Sequence, residues 1–314
     1  MRKVLIAAAV LALLVTFTMS APVPAAAQSD HDSAKSGPPP IIQLIREDVK
    51  PGKGPAHEKS ETAWAASYKK ANLKYYYLAT TTLTGPSEAW FLAAFDSMAD
   101  VEKATTELAA NKTVQAEIDR IGATDGDLLS GTRSTFLFYN PDLSYRPDFN
   151  IGDYKYVMVD TYRVKSGHGE QFAALRKAVN AAHEKAGLDE HMLVYNVGLG
   201  GPGGTFIVFQ PTKSLKEWDE AGKTHGKGSA YYEATGDEGR KKFTEYARED
   251  QQFFQRDFLA ISPGMSAVSE KVMAANPDFW KPKTAMAKAA AGKSTTPAAK
   301  KEPARKEAVQ TEKK

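Results

Sequence analysis

His57, Glu61, Trp64 and Tyr68 fall at spacings i, i+4, i+7 and i+11, so a helix through them carries all four on one face. An imidazole beside a carboxylate is an acid–base pair: the carboxylate favours the charged ring, and the pair can take a proton from an acidic substrate or assist a bound ion. Aromatic residues follow closely, at Tyr75, Tyr76, Tyr77, Trp90 and Phe91. Alternation along a strand sends Tyr75 and Tyr77 to one face and Tyr76 to the other. Rings with a few hydroxyls suit a flat organic ligand such as a quinone, a polyketide or a porphyrin. The expectation is that His57 and Glu61 are catalytic, while Trp64, Tyr68, Tyr77 and Trp90 hold the ligand. Core packing accounts for the same aromatics, since strands favour them.

Composition removes other chemistries. The 314 residues include no cysteine, which excludes disulfide scaffolds, thiolate zinc sites, iron–sulfur clusters and cysteine nucleophiles. Gly198-Leu199-Gly200-Gly201-Pro202-Gly203 satisfies G-x-G-x-x-G. A dinucleotide site needs those glycines between a strand and a helix N-terminus; here a strand-like run follows, and Pro202 interrupts the amides, so the segment reads as a hairpin. The serine-hydrolase, phosphate-loop and zinc-hydrolase signatures are absent from the sequence. His183 and His191 flank a helix-to-strand turn and could share an ion with Glu184 or Asp189. Surface histidines around a turn are the more usual explanation, and no metal site is expected.

The elements that must position these residues occur twice. Val49-Lys50-Pro51-Gly52-Lys53-Gly54 returns 115 residues later as Val164-Lys165-Ser166-Gly167-His168-Gly169. Strand-like runs, 41–49 and 156–164, precede each copy, and a helix follows. Two strands come next in each half, 75–84 and 88–95, then 192–197 and 205–209. Helical pattern resumes over 99–121 in one half, and over 215–221 and 238–255 in the other. Apolar strands 135–139 and 258–261 close the halves, each before an Asn-Pro or Ser-Pro pair. The order is βαββαβ, twice. Matching the two turns sets His57 against Phe172, Glu61 against Arg176, Trp64 against Val179 and Tyr68 against His183. A polar row stands in the first helix where the second has an apolar stripe.

One βαββαβ unit is a ferredoxin-like sheet with helices on one face and an apolar face left bare, which two copies can bury against each other as a barrel. On element order, the doubled Val-Lys-x-Gly-x-Gly turn and the Phe-rich third strands (Phe91 and Phe95; Phe206 and Phe209), the chain over about 41–268 resembles the dimeric α+β barrel superfamily in its fused two-repeat form. The fold class expected is thus α+β, tandem ferredoxin-like repeats. The superfamily includes haem-degrading and quinone-forming monooxygenases, chlorite dismutases, peroxidases and stress-response proteins, and its ligands commonly sit between helices and sheet. That implies a cavity in the first half and a packed core in the second. Haem, which the resemblance allows although no cofactor is expected, would need an axial histidine; His225 lies where such members often place theirs, inside a glycine-dense stretch that reads as a loop. The asparagine that haem-degrading members present has Gln43 and Asp160 as its nearest polar substitutes.

The ends read differently. Residues 1–27 show Arg2 and Lys3, an apolar run to Phe17 and Ala25-Ala26-Ala27, the three regions of a secretory signal. Residues 28–40 read as a linker, 41–149 and 150–280 as the two repeats, and 281–314 as a disordered basic tail. The tail carries a net charge of +7 and the signal +2, so the overall +3 leaves −6 for residues 28–280. An acidic, exported body argues against specific nucleic-acid recognition, while the tail could touch anionic envelope surfaces. The expected protein is periplasmic or secreted, without a transmembrane segment after signal removal, and a homodimer is one expected assembly. It binds a small organic ligand. A cofactor-independent monooxygenase acting on a phenolic substrate, and a non-catalytic envelope or stress-related assembly protein, are the alternatives.

Overall fold

The computed structural model describes residues 37–71, 73 and 75–281; the expected signal, most of the linker and nearly all of the tail lie outside them. The strands are β1 (Ile41–Val49), β2 (Tyr77–Thr82), β3 (Glu88–Phe95), β4 (Leu129–Tyr139), β5 (Tyr156–Val164), β6 (Leu193–Leu199), β7 (Thr205–Thr212) and β8 (Gln251–Ile261). Helices α1 (Gly54–Lys70), α2 (Met98–Ala110) and α3 (Lys112–Asp125) lie among the first four strands. Helices α4 (Gly169–Ala186), α5 (Leu215–His225) and α6 (Ala230–Glu245) lie among the last four, and α7 (Glu270–Ala275) and α8 (Pro277–Trp280) follow.

All eight strands pair antiparallel into a closed barrel, β1-β3-β2-β8-β5-β7-β6-β4. One chain closes the barrel, so no second copy is needed to bury the sheet's inner face. β1 pairs with β3 from Ile41↔Phe95 to Asp48↔Glu88, whereas the seam between halves runs only from Thr80↔Ile261 to Thr82↔Leu259 in β2–β8. The other seam, β4–β6, runs from Phe136↔Leu199 to Tyr139↔Tyr195.

Closure explains why β1 is buried on both faces from Ile41 to Ile45. Ile42 and Leu44 join Trp90, Leu137, Val159, Tyr195 and Leu259 inside the barrel. Ile45 and Val49 face outward, to the layer under α1 that also holds Trp64, Tyr68 and Tyr77. A third core lies under α4, around Phe172, Leu175 and Val179. The glycines of the two matching turns, Gly52 at φ 76° and Gly167 at φ 86°, adopt a left-handed conformation that other residues enter at a cost.

Three expected elements differ. The helix over 99–121 is two helices, because Asn111 leaves helical geometry at ψ 89° and its side chain accepts from Val114 N as the cap of α3. The helix over 238–255 is α-helical only to Glu245 and ends in a π-helical turn, Tyr246–Asp250; Phe253 and Phe254 instead pair with Arg163 and Tyr162 of β5, where aromatics are favoured. The glycine-dense stretch is helical up to His225. The segment Gly198–Gly203 does join two strands.

α7 packs tightly on the segment before β5. A Cβ on Gly152 would stand 2.1 Å from the Val272 carbonyl oxygen, and Trp280 donates its indole N–H to Gly152 O at 2.9 Å. Gly152→Ala should therefore cost about 1–3 kcal/mol by forcing these segments apart. Urea unfolding measures it, and an unchanged midpoint would contradict this packing.

Candidate acid–base site and ligand pocket

Helix α1 starts with Pro55 in its first turn and buries His57, Glu61, Trp64, Ala65 and Tyr68 against the sheet. The polar row thus faces inward. Opposite it, the outward-facing row of β1 supplies Glu47, whose Oε2 is 2.8 Å from His57 Nε2, with both side chains at most 3% exposed. Glu61 Oε1 lies 3.9 Å from the same nitrogen. The last residue of α3, Asp125, accepts the Trp64 indole N–H at 3.3 Å and hydrogen bonds with the Glu61 carboxyl.

Two carboxyl groups therefore flank one imidazole out of water and a third, Asp125, sits beside Glu61; one oxygen each of Glu61 and Asp125 has no hydrogen-bond partner. Buried like charges at this range cannot all ionise. Glu61 takes up the difference: burial first, then the charges of Glu47 and Asp125 and its bond to Asp125, raise its pKa well above the ordinary carboxyl value. A neutral Glu61 can donate to Asp125, which an ionised one cannot.

Rings continue from this cluster. Trp64–Tyr68, Tyr68–Tyr77 and Tyr77–Phe91 each have centroids 6.0 Å apart. Burial above all, and then the neighbouring Glu61 carboxyl, push the Tyr68 and Tyr77 hydroxyls up, so both stay protonated. Glu61, Trp64, Tyr68, Tyr77 and Phe91 line a cavity of about 40 Å³. That holds a few waters, not a ring system. Among the described residues Glu61 is its one lining carboxyl; neither His57 nor Glu47 reaches it.

The larger space lies elsewhere. A pocket of about 910 Å³ opens at one end of the barrel, lined from inside by Ile42, Leu92, Val157, Tyr195 and Phe209. The segments 37–40, 147–151 and 268–272 rim it. Tyr75, Tyr76, Tyr77, Ala94 and Phe95 line both spaces, so the pocket and the small cavity share a wall.

Five of the six expected site residues, His57, Glu61, Trp64, Tyr68 and Tyr77, come together. Trp90 does not. It is one residue from Phe91 in β3, and alternation turns it into the barrel. There its indole N–H donates to Glu88 Oε2 at 2.6 Å and the Arg46 guanidinium stacks 4.1 Å from its ring. Arg46 and Arg133 both reach Glu88, at 2.6 and 2.7 Å. Burial would raise the Glu88 pKa, but hydrogen bonds from Arg46 and Trp90 and the two guanidinium charges outweigh it and hold it low. One end of the barrel is thus an ion network and the other an apolar mouth.

Sequence reasoning missed Glu47 and Asp125. Glu47 had a signal: the outward row Ile41, Gln43, Ile45, Glu47, Val49 carries an acid where an apolar residue would serve. Asp125 comes from a separate helix and had none. Of the other polar residues singled out, Gln43 donates to Ser134 Oγ at 3.1 Å, and Asp160 is paired with Arg256 at 2.6 Å. His191 is bonded to Arg146 O and shares nothing with His183.

Haem does not fit these spaces. No histidine lines either one, and His225, the expected axial candidate, lies outside both, 3.2 Å from Glu190.

Fold and site together define a single-chain, eight-stranded α+β barrel with a buried His–carboxyl cluster under its first helix. No protein-family model and no curated protein matches the chain. Among solved structures it is similar to a "putative monooxygenase" from Fusobacterium nucleatum, with 11% identity over 71% of this chain and 93% of that one and a TM-score of 0.48. It is also similar to an anthrone oxidase-like protein, with 14% identity, 73% and 94% coverage and a TM-score of 0.47. A third is chlorite dismutase from Candidatus Nitrospira defluvii, with 10% identity, 75% and 94% coverage and a TM-score of 0.42. All three are members of the dimeric α+β barrel superfamily. Such distant likeness says nothing of this chain's chemistry, which rests on its own residues.

Proposed function

We propose that this protein binds a small, largely apolar organic molecule in the pocket at the open end of its barrel. The observation that carries this is an apolar-lined space of about 910 Å³, within the size range of small-molecule sites. Its wall of Tyr75, Tyr76 and Tyr77 is shared with the cavity that meets Glu61. The ligand's body occupies the mouth, and its polar edge faces the tyrosines.

N-phenyl-1-naphthylamine is a suitable probe. Its fluorescence should rise saturably with wild-type protein, and Leu92→Trp, which fills the pocket from β3, should weaken it at least tenfold, about 1.4 kcal/mol. Unsaturable binding, or equal binding by the variant, would sink the proposal.

A second reading follows from the buried cluster. In this reading Glu61 passes its own proton to His57, which Glu47 holds at 2.8 Å, and so is free to take the substrate's proton at the cavity. Such an arrangement suits a cofactor-independent monooxygenase: an activated phenolic substrate loses its proton, and its anion supplies the electrons to dioxygen. Export of the protein, supported by Arg2, Lys3, the apolar run and Ala25–Ala27, is part of the same proposal. So is descent of the two halves from one ferredoxin-like unit, supported by the paired left-handed turn glycines and by first strands of nine residues each. Among the described residues no helix is long and apolar enough to cross a membrane.

A further inference from the structure

We propose that His183, Glu190 and His225 form a binding site for one divalent transition-metal ion of the zinc class. The site lies on the second half of the chain and shares no residue with the pocket or with the His57 cluster.

Three elements build it. His183 lies in the last turn of α4, Glu190 in the segment between α4 and β6, and His225 ends α5. His183 Nδ1 is 2.8 Å from the Val179 carbonyl, and His225 Nδ1 is 3.2 Å from the Ala221 carbonyl. A carbonyl can only accept, so in both rings Nδ1 carries the proton. That fixes tautomer and ring orientation and aims both Nε2 atoms at one carboxylate, His183 at Glu190 Oε2 and His225 at Oε1, 3.2 Å each. A backbone acceptor behind each ring is the support that metal-bound histidines characteristically have.

In the neutral rings, Nε2 presents a lone pair to a carboxylate that also has only lone pairs to offer. A cation between them resolves the repulsion. Ligand atoms about a tetrahedral zinc ion stand roughly 3.3–3.5 Å apart, given bond lengths of about 2.0–2.2 Å. The three donor atoms here all lie within 4.8 Å of one another, so modest closure suffices. Two imidazoles and one carboxylate suit zinc and its late first-row neighbours rather than calcium or magnesium.

The surroundings agree. Both histidines sit at helix C-termini, where the macrodipole favours positive charge. The Tyr231 ring packs edge-on against both imidazoles, at centroid distances of 4.6 and 4.8 Å. Of the positive charges near the site, Arg256 is occupied by Asp160, and Arg176 of α4, near Tyr231, bonds Asn180 and Met192. His183 is buried while Glu190 and His225 are about one-third exposed, so solvent can complete the coordination shell.

The test uses the full chain without a polyhistidine tag, stripped with a chelator and titrated calorimetrically with zinc chloride. Cobalt(II) absorption reports the coordination. The expected result is one ion per chain and a visible cobalt band of low-coordinate type. His225→Ala and the shape-conserving Glu190→Gln should each weaken zinc by at least about 100-fold, more than loss of an outer-shell partner usually does. No saturable binding, or binding unchanged in both variants, would overturn the proposal, since the rings would then be held as imidazolium groups on Glu190. Binding that survives His225→Ala but is lost in the double variant Glu47→Gln/His57→Phe would place the ion under α1 and overturn it equally. None of these results bears on the apolar pocket.

Discussion

His57→Phe should destabilise the protein by about 3–5 kcal/mol, although Phe172 occupies the corresponding place in α4 and its ring is fully buried there. Were the protein purely structural, matching the halves would predict a neutral or stabilising change. The geometry reverses that, because Glu47 is 1% exposed and its Oε2 has His57 Nε2 at 2.8 Å. Removing one partner of a buried pair strands the other's charge, and that, rather than the value of the pair itself, sets the cost. Adding Glu47→Gln should restore most of the loss, since an amide carries no charge to strand. In the second half the position matching Glu47 is Tyr162, whose ring packs on Phe172 at 5.2 Å, so an apolar pair is a workable solution in this layer. Urea unfolding of wild type, single and double variants forms the test. Additive losses in the double variant would show that Glu47 and His57 do not depend on each other.

The contrast between the halves shows what was legible in sequence. The first strands of both halves and β3 run over the residues expected, because β-branched and aromatic runs bounded by turn glycines have few other readings. The inward aim of His57, Glu61, Trp64 and Tyr68 was legible too, because α4 supplies an apolar stripe in the same phase. Long-range consequences were not. Trp90 and Phe91 are adjacent in sequence and differ only in which face of a closed sheet they meet; assigning the faces requires knowing that the ion network of Arg46, Glu88 and Arg133 fills one end of the barrel. Similarly, His225 became a partner of His183 only through the packing of α5 and α6 beside α4, 42 residues along the chain. Asp125 entered the site through a helix whose start was hidden inside an apparently continuous helical run, at Asn111.

Glu61→Gln should flatten the pH dependence of stability above the ordinary carboxyl range and make the protein more stable than wild type at pH 8. Glu61 is 3% exposed, and its folded pKa is raised well above the unfolded value of 4.5 by burial, by Glu47 and Asp125 and by the bond to Asp125. A raised pKa means that the folded state keeps a proton the unfolded state releases. Its contribution is therefore complete below pH 4.5 and is lost as pH rises toward the folded pKa. The slope over that window is about −1.4 kcal/mol per pH unit for one proton. Glutamine removes the proton uptake but keeps the shape, and its amide N–H can donate to Asp125 as the protonated acid does. Wild type and variant should then be within about 1 kcal/mol of each other near pH 4.5 and diverge steadily in the variant's favour as pH rises. Parallel stability profiles from pH 5 to 8 would show Glu61 ionised in the fold, and the cavity would lose its neutral acid. If the profiles diverge and Glu61→Gln also abolishes oxygen consumption with an activated phenol while leaving naphthylamine binding intact, proton handling at Glu61 and ligand capture at the barrel mouth are separable, as their different residues require.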